Sequence, residues 1–101
     1  MTIGIDLVKI KDLQVRLSGD LAKVFTSDEL QLSSEKIAGV FAAKEAFFKA
    51  LGRKEDWLSV WLEHENSGKP VLKTILSLDN KKTEVSISYA GEYVTAVVII
   101  F

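Results

Sequence analysis

Four charged side chains stand where a folded chain ordinarily avoids charge. From Ile37 to Leu51 the sequence carries only Lys44, Glu45 and Lys49 among apolar and small residues. Advancing roughly 100° per residue, Val40, Leu51, Ile37, Phe48 and Phe41 share one arc, which Phe47 extends. Lys44 falls near the middle of that arc, and Glu45 and Lys49 lie together at its edge. Ala38, Gly39, Ala42, Ala43, Ala46 and Ala50 fill the remaining circumference, so other backbones can approach closely. A helix this apolar is expected to be buried on most sides, where a charge needs a partner. Asp6 is the fourth anomaly, set mid-strand between Ile5 and Leu7, where aspartate is disfavoured. Two readings fit. In one, Glu45 and Lys49 pair along the helix, Lys44 snorkels to water, and Asp6 faces solvent or caps the following helix. In the other, a strand carboxylate and a helix carboxylate hold a hard cation such as Mg2+. Such an ion keeps several waters and takes one or two carboxylates plus substrate phosphate oxygens. The flanking lysines then serve as phosphate counter-charges.

The elements that must position these residues follow from periodicity and turn chemistry. Residues 2–8 alternate and are β-branched, which predicts a strand. Ile10, Leu13 and Leu17 recur at helical spacing over 9–18, ahead of a turn at Ser18-Gly19-Asp20. Ser27 is an N-cap candidate for a short turn from Asp28 to Leu32. Ser33 or Ser34 opens the long helix, and Gly52 stops it after Leu51. The period then changes to two, predicting strands near 57–65, 70–78, 83–89 and 93–100. Turns fall at Asn66-Ser67-Gly68, Asp79-Asn80 and Ala90-Gly91-Glu92. One strand, a helical half with one long buried helix, and an antiparallel meander make the expected class α+β.

The chain has 101 residues, 48% hydrophobic and 27% charged, with 13 Lys+Arg against 14 Asp+Glu for a formal net charge of -1. That balance suits one globular domain over residues 1–101 and offers no overall basic field for nucleic acid or an anionic membrane. No basic stripe interleaved with aromatics points to nucleic acid. No cysteine is present, which excludes a disulfide framework, a thiolate metal site and a cysteine nucleophile. The start turns acidic at Asp6 and then alternates with lysines, unlike a signal peptide, and no apolar run reaches the ~18 residues of a spanning helix. The expected setting is cytoplasmic. A domain this small gains from burial between subunits.

Five ordered segments, spanning about residues 3 to 100, carry a family resemblance. Gly4-Ile5-Asp6-Leu7-Val8 resembles the GxD segment of the 4'-phosphopantetheinyl transferases. Phe41-Ala42-Ala43-Lys44-Glu45-Ala46-Phe47-Phe48-Lys49-Ala50-Leu51-Gly52 resembles their FxxKEAxxKAxG helix. Phe25-Thr26-Ser27-Asp28-Glu29-Leu30 is similar to their F/T-x-x-E-L segment. Ser67-Gly68-Lys69-Pro70 resembles the NGKP turn, and Val85-Ser86-Ile87-Ser88 the SIS strand. Order and spacing are similar to those of the small, single-repeat holo-acyl-carrier-protein synthases, and this chain looks like a shortened, divergent member.

The resemblance implies transfer of 4'-phosphopantetheine from coenzyme A to a serine of an apo acyl carrier protein, releasing adenosine 3',5'-bisphosphate. It implies Asp6 and Glu45 as Mg2+ ligands. It further implies Lys44 and Lys49 as counter-charges at the phosphates, with Lys49 in addition a candidate for proton handling. Gly68, Lys69 and Pro70 are implied in contact with the nucleotide from an adjacent subunit of a homotrimer, and Ser88 is a further expected coenzyme A-binding residue. The base that deprotonates the carrier serine stays open among a carboxylate, a lysine and metal-bound water. The chain also departs from the pattern. Tyr89 stands where the family usually has His, Val40 where an arginine is common, and Asp12 where many members carry a carrier-gripping arginine. The loop after Gly52 is shortened. Lys9, Lys11, Arg16 and Arg53 are candidates for compensation, though an ordinary solvated face is the better reading of each. His64, the only histidine, is expected to be structural or exposed. These departures keep an alternative in view: a weakened or inactive homologue that binds coenzyme A or carrier protein.

Overall fold

Ser33 and Gly52 set the ends of the central helix. The Ser33 Oγ accepts the Lys36 N–H at 3.3 Å, and Gly52 takes φ 87, a left-handed conformation that costs glycine little. Between them runs α3, Ser34–Leu51, buried on nearly its whole circumference from Ala38 to Ala50. The computed structural model describes residues 1–17 and 19–101, with Gln14 and Arg16 described by backbone alone. The turn residue Ser18 and the side chain of Arg16 therefore lie outside the described residues.

Around α3 stand β1 (Thr2–Lys9), α1 (Ile10–Arg16), α2 (Leu21–Val24), β2 (Val60–His64), β3 (Pro70–Thr74), β4 (Thr83–Ala90) and β5 (Tyr93–Ile100). The α+β class and the order of its parts agree with the sequence reading. The antiparallel strands divide into a three-stranded sheet, ordered β1-β5-β4, and a β2-β3 hairpin. On the three-stranded sheet Gly4 is opposite Val98, Asp6 opposite Ala96 and Val8 opposite Val94. That row faces α3. The other face carries Ile3, Ile5 and Leu7, all exposed.

Boundaries moved where side chains compete for backbone groups. The strand expected from residue 57 begins at Val60, because the Asp56 carboxylate accepts the Leu58 N–H at 2.8 Å and holds Trp57–Ser59 in a tight helical turn. The strand expected to reach residue 78 stops at Thr74. Its hydroxyl donates to the Ser59 carbonyl at 2.8 Å and accepts the Leu76 N–H at 3.1 Å, which bends the chain away. The short turn after residue 25 is Glu29–Gln31, and Thr26 serves it rather than Ser27. The Thr26 N–H donates to Glu29 Oε1 at 2.9 Å while the Glu29 N–H donates to Thr26 Oγ1 at 3.2 Å, a capping box.

Two contacts hold this arrangement on α3. Gly4 lies so close to the helix that a Cβ there would collide with the Ala46 carbonyl oxygen and come within 2.7 Å of the Ala50 nitrogen. Backbone atoms inside a helix cannot step aside. The second contact is the ammonium of Lys44, wholly buried, which donates to the Val24 carbonyl at 2.7 Å, Glu29 Oε1 at 2.9 Å and the Trp57 carbonyl at 3.1 Å. Glu29 Oε2 in turn accepts the Leu62 N–H at 3.1 Å. One buried ion pair thus ties α3 to the segment before it, to the turn after it and to the β2-β3 hairpin. Among the described residues no buried side-chain polar atom lacks a partner.

Gly4→Ala is expected to cost about 1–3 kcal/mol through overpacking, read as a lowered urea midpoint. Lys44→Met leaves the Glu29 carboxylate buried without a counter-charge, and a loss of about 3–5 kcal/mol is expected. Adding Glu29→Gln to that variant removes the stranded charge and should recover part of the loss in the same unfolding measurement.

Candidate active site

Because Gly4 seats β1 on α3 at Ala46 and Ala50, the next residue of that strand face, Asp6, meets the helix through Lys49 of the same turn. The Lys49 ammonium donates to Asp6 Oδ1 at 3.2 Å and to the Ile5 carbonyl at 2.9 Å. The Asp6 side chain is 16% exposed, and its own carbonyl accepts the Thr95 hydroxyl at 2.8 Å, so strand and carboxylate are fixed from both sides. Asp6 neither faces open solvent nor caps α1. Glu45, one turn before Lys49 on α3, is 23% exposed, and its Oε1 lies 3.8 Å from the Lys54 ammonium. The helical Glu45–Lys49 pair that spacing favours is not the one that forms. An i,i+4 pair contributes only a few tenths of a kcal/mol, and Lys49 finds two acceptors on β1 instead. Glu45, Lys49, Arg53 and Lys54 rim an open cavity of about 370 Å³ floored by Phe48.

These groups suit one kind of cation. Among the described residues no three His, Asp or Glu side chains gather as a protein-built metal cage. Two partly buried carboxylates, each now neutralised by a lysine, instead fit a hard ion that completes its shell with water and substrate oxygen. Asp6 and Glu45 would hold it.

Lys44 does not belong to this cavity. Its three ammonium protons are committed to Val24, Glu29 and Trp57, and none of its surface is exposed. This corrects the expectation of a phosphate-facing Lys44, and equally the reading in which it snorkels to water. Burial lowers its pKa from the ordinary lysine value, while the Glu29 hydrogen bond and charge and, more weakly, Asp56 oppose that shift. Its partner Glu29 is a structural residue that sequence reasoning misses, and the Thr26-x-x-Glu29 capping signature is the one local sign of it.

The residues expected at the nucleotide lie elsewhere. Gly68, at φ 89, and Pro70 line a second cavity of about 210 Å³ with Val40, Leu62, His64 and Tyr89. It sits against the N-terminal half of α3 and shares no lining residue with the cavity of Glu45 and Lys49. Lys69 pairs with Glu84 at 3.4 Å. Ser88 is exposed on the sheet face opposite α3, level with Thr95 and Leu7. The structure thus joins Asp6 to Lys49, places Glu45 and Lys49 on one cavity and Gly68 with Pro70 on another, and does not bring these groups into one cavity of one chain. Tyr89 packs over α3 at Gly39, where a Cβ would come within 3.1 Å of its Cζ. Burial first, then the Glu35 charge, raises its pKa, so the phenol stays neutral. His64 is exposed, opposite Pro70 at the end of β2, and lines the second cavity with Tyr89. Of the compensating candidates, Lys11 pairs with Glu92 at 3.4 Å and Arg53 with Glu55 at 2.7 Å, while Asp12 is exposed on α1.

Similar proteins were found by sequence and by shape. Over residues 2–98 the chain matches the 4'-phosphopantetheinyl transferase superfamily. A holo-[acyl-carrier-protein] synthase of Shouchella clausii is 34% identical, aligned over 97% of this chain and 95% of that protein. One from Nautilia profundicola is 36% identical over 97% of each. The crystal structure of Helicobacter pylori holo-[acyl-carrier-protein] synthase in complex with coenzyme A superposes with a TM-score of 0.88 at 26% identity, covering 98% of this chain and 99% of that one. A Bacillus anthracis holo-(acyl-carrier-protein) synthase in complex with CoA (3',5'-ADP) gives 0.86 at 29% identity, covering 98% and 94%. The strand that bears Asp6, the helix that bears Glu45 and Lys49, and a match running through nearly the whole sequence together make this chain a member of the 4'-phosphopantetheinyl transferase superfamily.

Proposed function

We propose that the chain, acting as a single domain over residues 1–101, transfers 4'-phosphopantetheine from coenzyme A to a serine of an apo acyl carrier protein. Adenosine 3',5'-bisphosphate is the second product and Mg2+ is required. The observation that carries this reading is the meeting of Asp6 with Lys49, one turn from Glu45, at the edge of α3 where Glu45 and Lys49 line an open cavity. The coenzyme A complexes of the similar solved structures support the choice of donor. A magnesium ion at Asp6 and Glu45 would neutralise charge on the coenzyme A pyrophosphate. Lys49 orients the Asp6 carboxylate from its second anchor on the Ile5 carbonyl and brings a positive charge to the same place. The work at this site is positioning and electrostatic stabilisation, as phosphoryl-type transfer demands.

Two observations support active sites between the protomers of a homotrimer. Gly68 and Pro70 line a cavity on the other half of α3 from Glu45, so a nucleotide held by both groups bridges two chains more readily than it spans one. Ile3, Ile5 and Leu7 are 65%, 59% and 66% exposed on one sheet face, an apolar row suited to burial by another protomer. We place the reaction in the cytoplasm, in fatty acid biosynthesis. One feature favours a second reading: Val40 and Tyr89 give the second cavity an apolar and a neutral wall, where the resemblance leads one to expect arginine and histidine. That reading is a module that binds coenzyme A or carrier protein without transfer.

Incubation with coenzyme A, Mg2+ and a panel of apo carrier proteins, followed by intact-mass measurement, separates the two. Addition of phosphopantetheine to one or more carriers is expected. Asp6→Asn and Glu45→Gln should each lower the rate by at least ~100-fold, given that even groups behind a metal ligand typically contribute 10–100-fold. Both variants should keep the parent's far-ultraviolet circular dichroism. Coenzyme A binding without transfer to any carrier would select the binding module, and unfolding of Asp6→Asn would make Asp6 a structural residue.

A further inference from the structure

Lys54 follows the reversal at Gly52, in the shortened loop between α3 and the turn at Trp57. That turn is pinned to the core from two directions. Its Trp57 carbonyl receives the buried Lys44 ammonium at 3.1 Å. The Trp57 ring stacks on Phe41, with centroids 5.1 Å apart, and meets Phe48 edge-on at 5.4 Å. The Lys54 ammonium stands over this fixed ring, 4.5 Å from its centroid, and 3.8 Å from Glu45 Oε1. Its side chain is 63% exposed. A cation–π contact and a long, solvated ion pair are each weak, so Lys54 is parked rather than locked.

The position is notable because of what surrounds it. Lys44, the lysine adjacent to Glu45 in sequence, is consumed inside the core. Lys49 is occupied by β1, and Arg53 is held by Glu55 at 2.7 Å. Lys49 and Lys54 each pair with a carboxylate that a divalent ion would claim, but Lys49 keeps a second acceptor in the Ile5 carbonyl, whereas Lys54 has only Glu45 and the Trp57 face.

We propose that Lys54 is a second phosphate-binding lysine of this site, beside Lys49. It rests on Glu45 and the Trp57 face in the free protein. Once a divalent cation takes Glu45, the ammonium loses its carboxylate and turns to the phosphate oxygens of the donor. At Glu45 one ion pair is thus exchanged for two new ones, and the Lys54 charge is not stranded. The assignment rests on the coenzyme A and metal reading given above.

The test uses the full chain carrying Trp61→Phe, so that Trp57 is the only tryptophan. Parent and Lys54→Gln are compared for Mn2+ binding, by loss of the free-ion paramagnetic resonance signal, and for coenzyme A binding with Mg2+, by calorimetry. Lys54→Gln is expected to bind Mn2+ a few-fold more tightly, since a competing ammonium is gone, and to bind coenzyme A about 10-fold more weakly, as loss of one charge-assisted contact. Lys54→Arg should restore most of the coenzyme A affinity. In the parent, coenzyme A with Mg2+ should change Trp57 emission as the cation leaves the ring; Lys54→Gln should not respond. A purely structural Lys54 would weaken both ligands together, and that result overturns the proposal. So does unchanged coenzyme A affinity in Lys54→Gln while the parent binds, a result that leaves the proposed function standing. Failure of the parent itself to bind coenzyme A overturns that function and this assignment with it.

Discussion

The close contact of β1 with α3 at Gly4 is the constraint from which the candidate site follows. With no side chain between strand and helix, the strand lies on the backbone of Ala46 and Ala50. That fixes how far along α3 the next inward residue, Asp6, must land, and it lands at Lys49. Any larger residue would lift the strand and separate a carboxylate from the helix that carries the other one. The alanines of α3 belong to the same constraint. They keep the helix narrow, and narrowness lets β1 and β5 approach it without gaps. The chemistry of the site is therefore decided by residues that perform none of it.

The charges near this contact divide into two kinds. Lys44 and Glu29 are buried, fully hydrogen-bonded and joined to four separate segments of chain. Such a pair contributes little net stability over an apolar equivalent, and breaking it is expensive; its effect is to hold the turn at Trp57 in one place. Asp6 with Lys49 and Glu45 with Lys54 are partly exposed and single or double contacts. Water and ions compete with them readily. A rigid pair behind and two exchangeable pairs in front is an arrangement in which the scaffold holds still while the charges at the mouth change partners.

How much of this is legible in the sequence depends on whether the deciding interaction is local. α3 reads directly, because Ser33, Gly52 and the unbroken apolar circumference all lie within it. The apolar arc also places Lys44 inside, but it does not say what will meet the ammonium there. Glu29 has a local role as a capping residue, and only tertiary packing turns its carboxylate inward to Lys44 and Leu62. The pairing of Lys49 is lost for the same reason: the helical rule favours Glu45 weakly, and two acceptors on a strand more than forty residues earlier outweigh it. The family resemblance correctly anticipates the fold. It misplaces Lys44 because a motif records which residues recur, not which way they point.

The committed state of the Lys44 ammonium also sets its reactivity. An amine with no exposed surface and every proton engaged is shielded from acylating reagents, whereas Lys49 and Lys54 stay open to them. Labelling at Lys44 then requires the interior to open, so the extent of its modification is a built-in gauge of how often this molecule breathes.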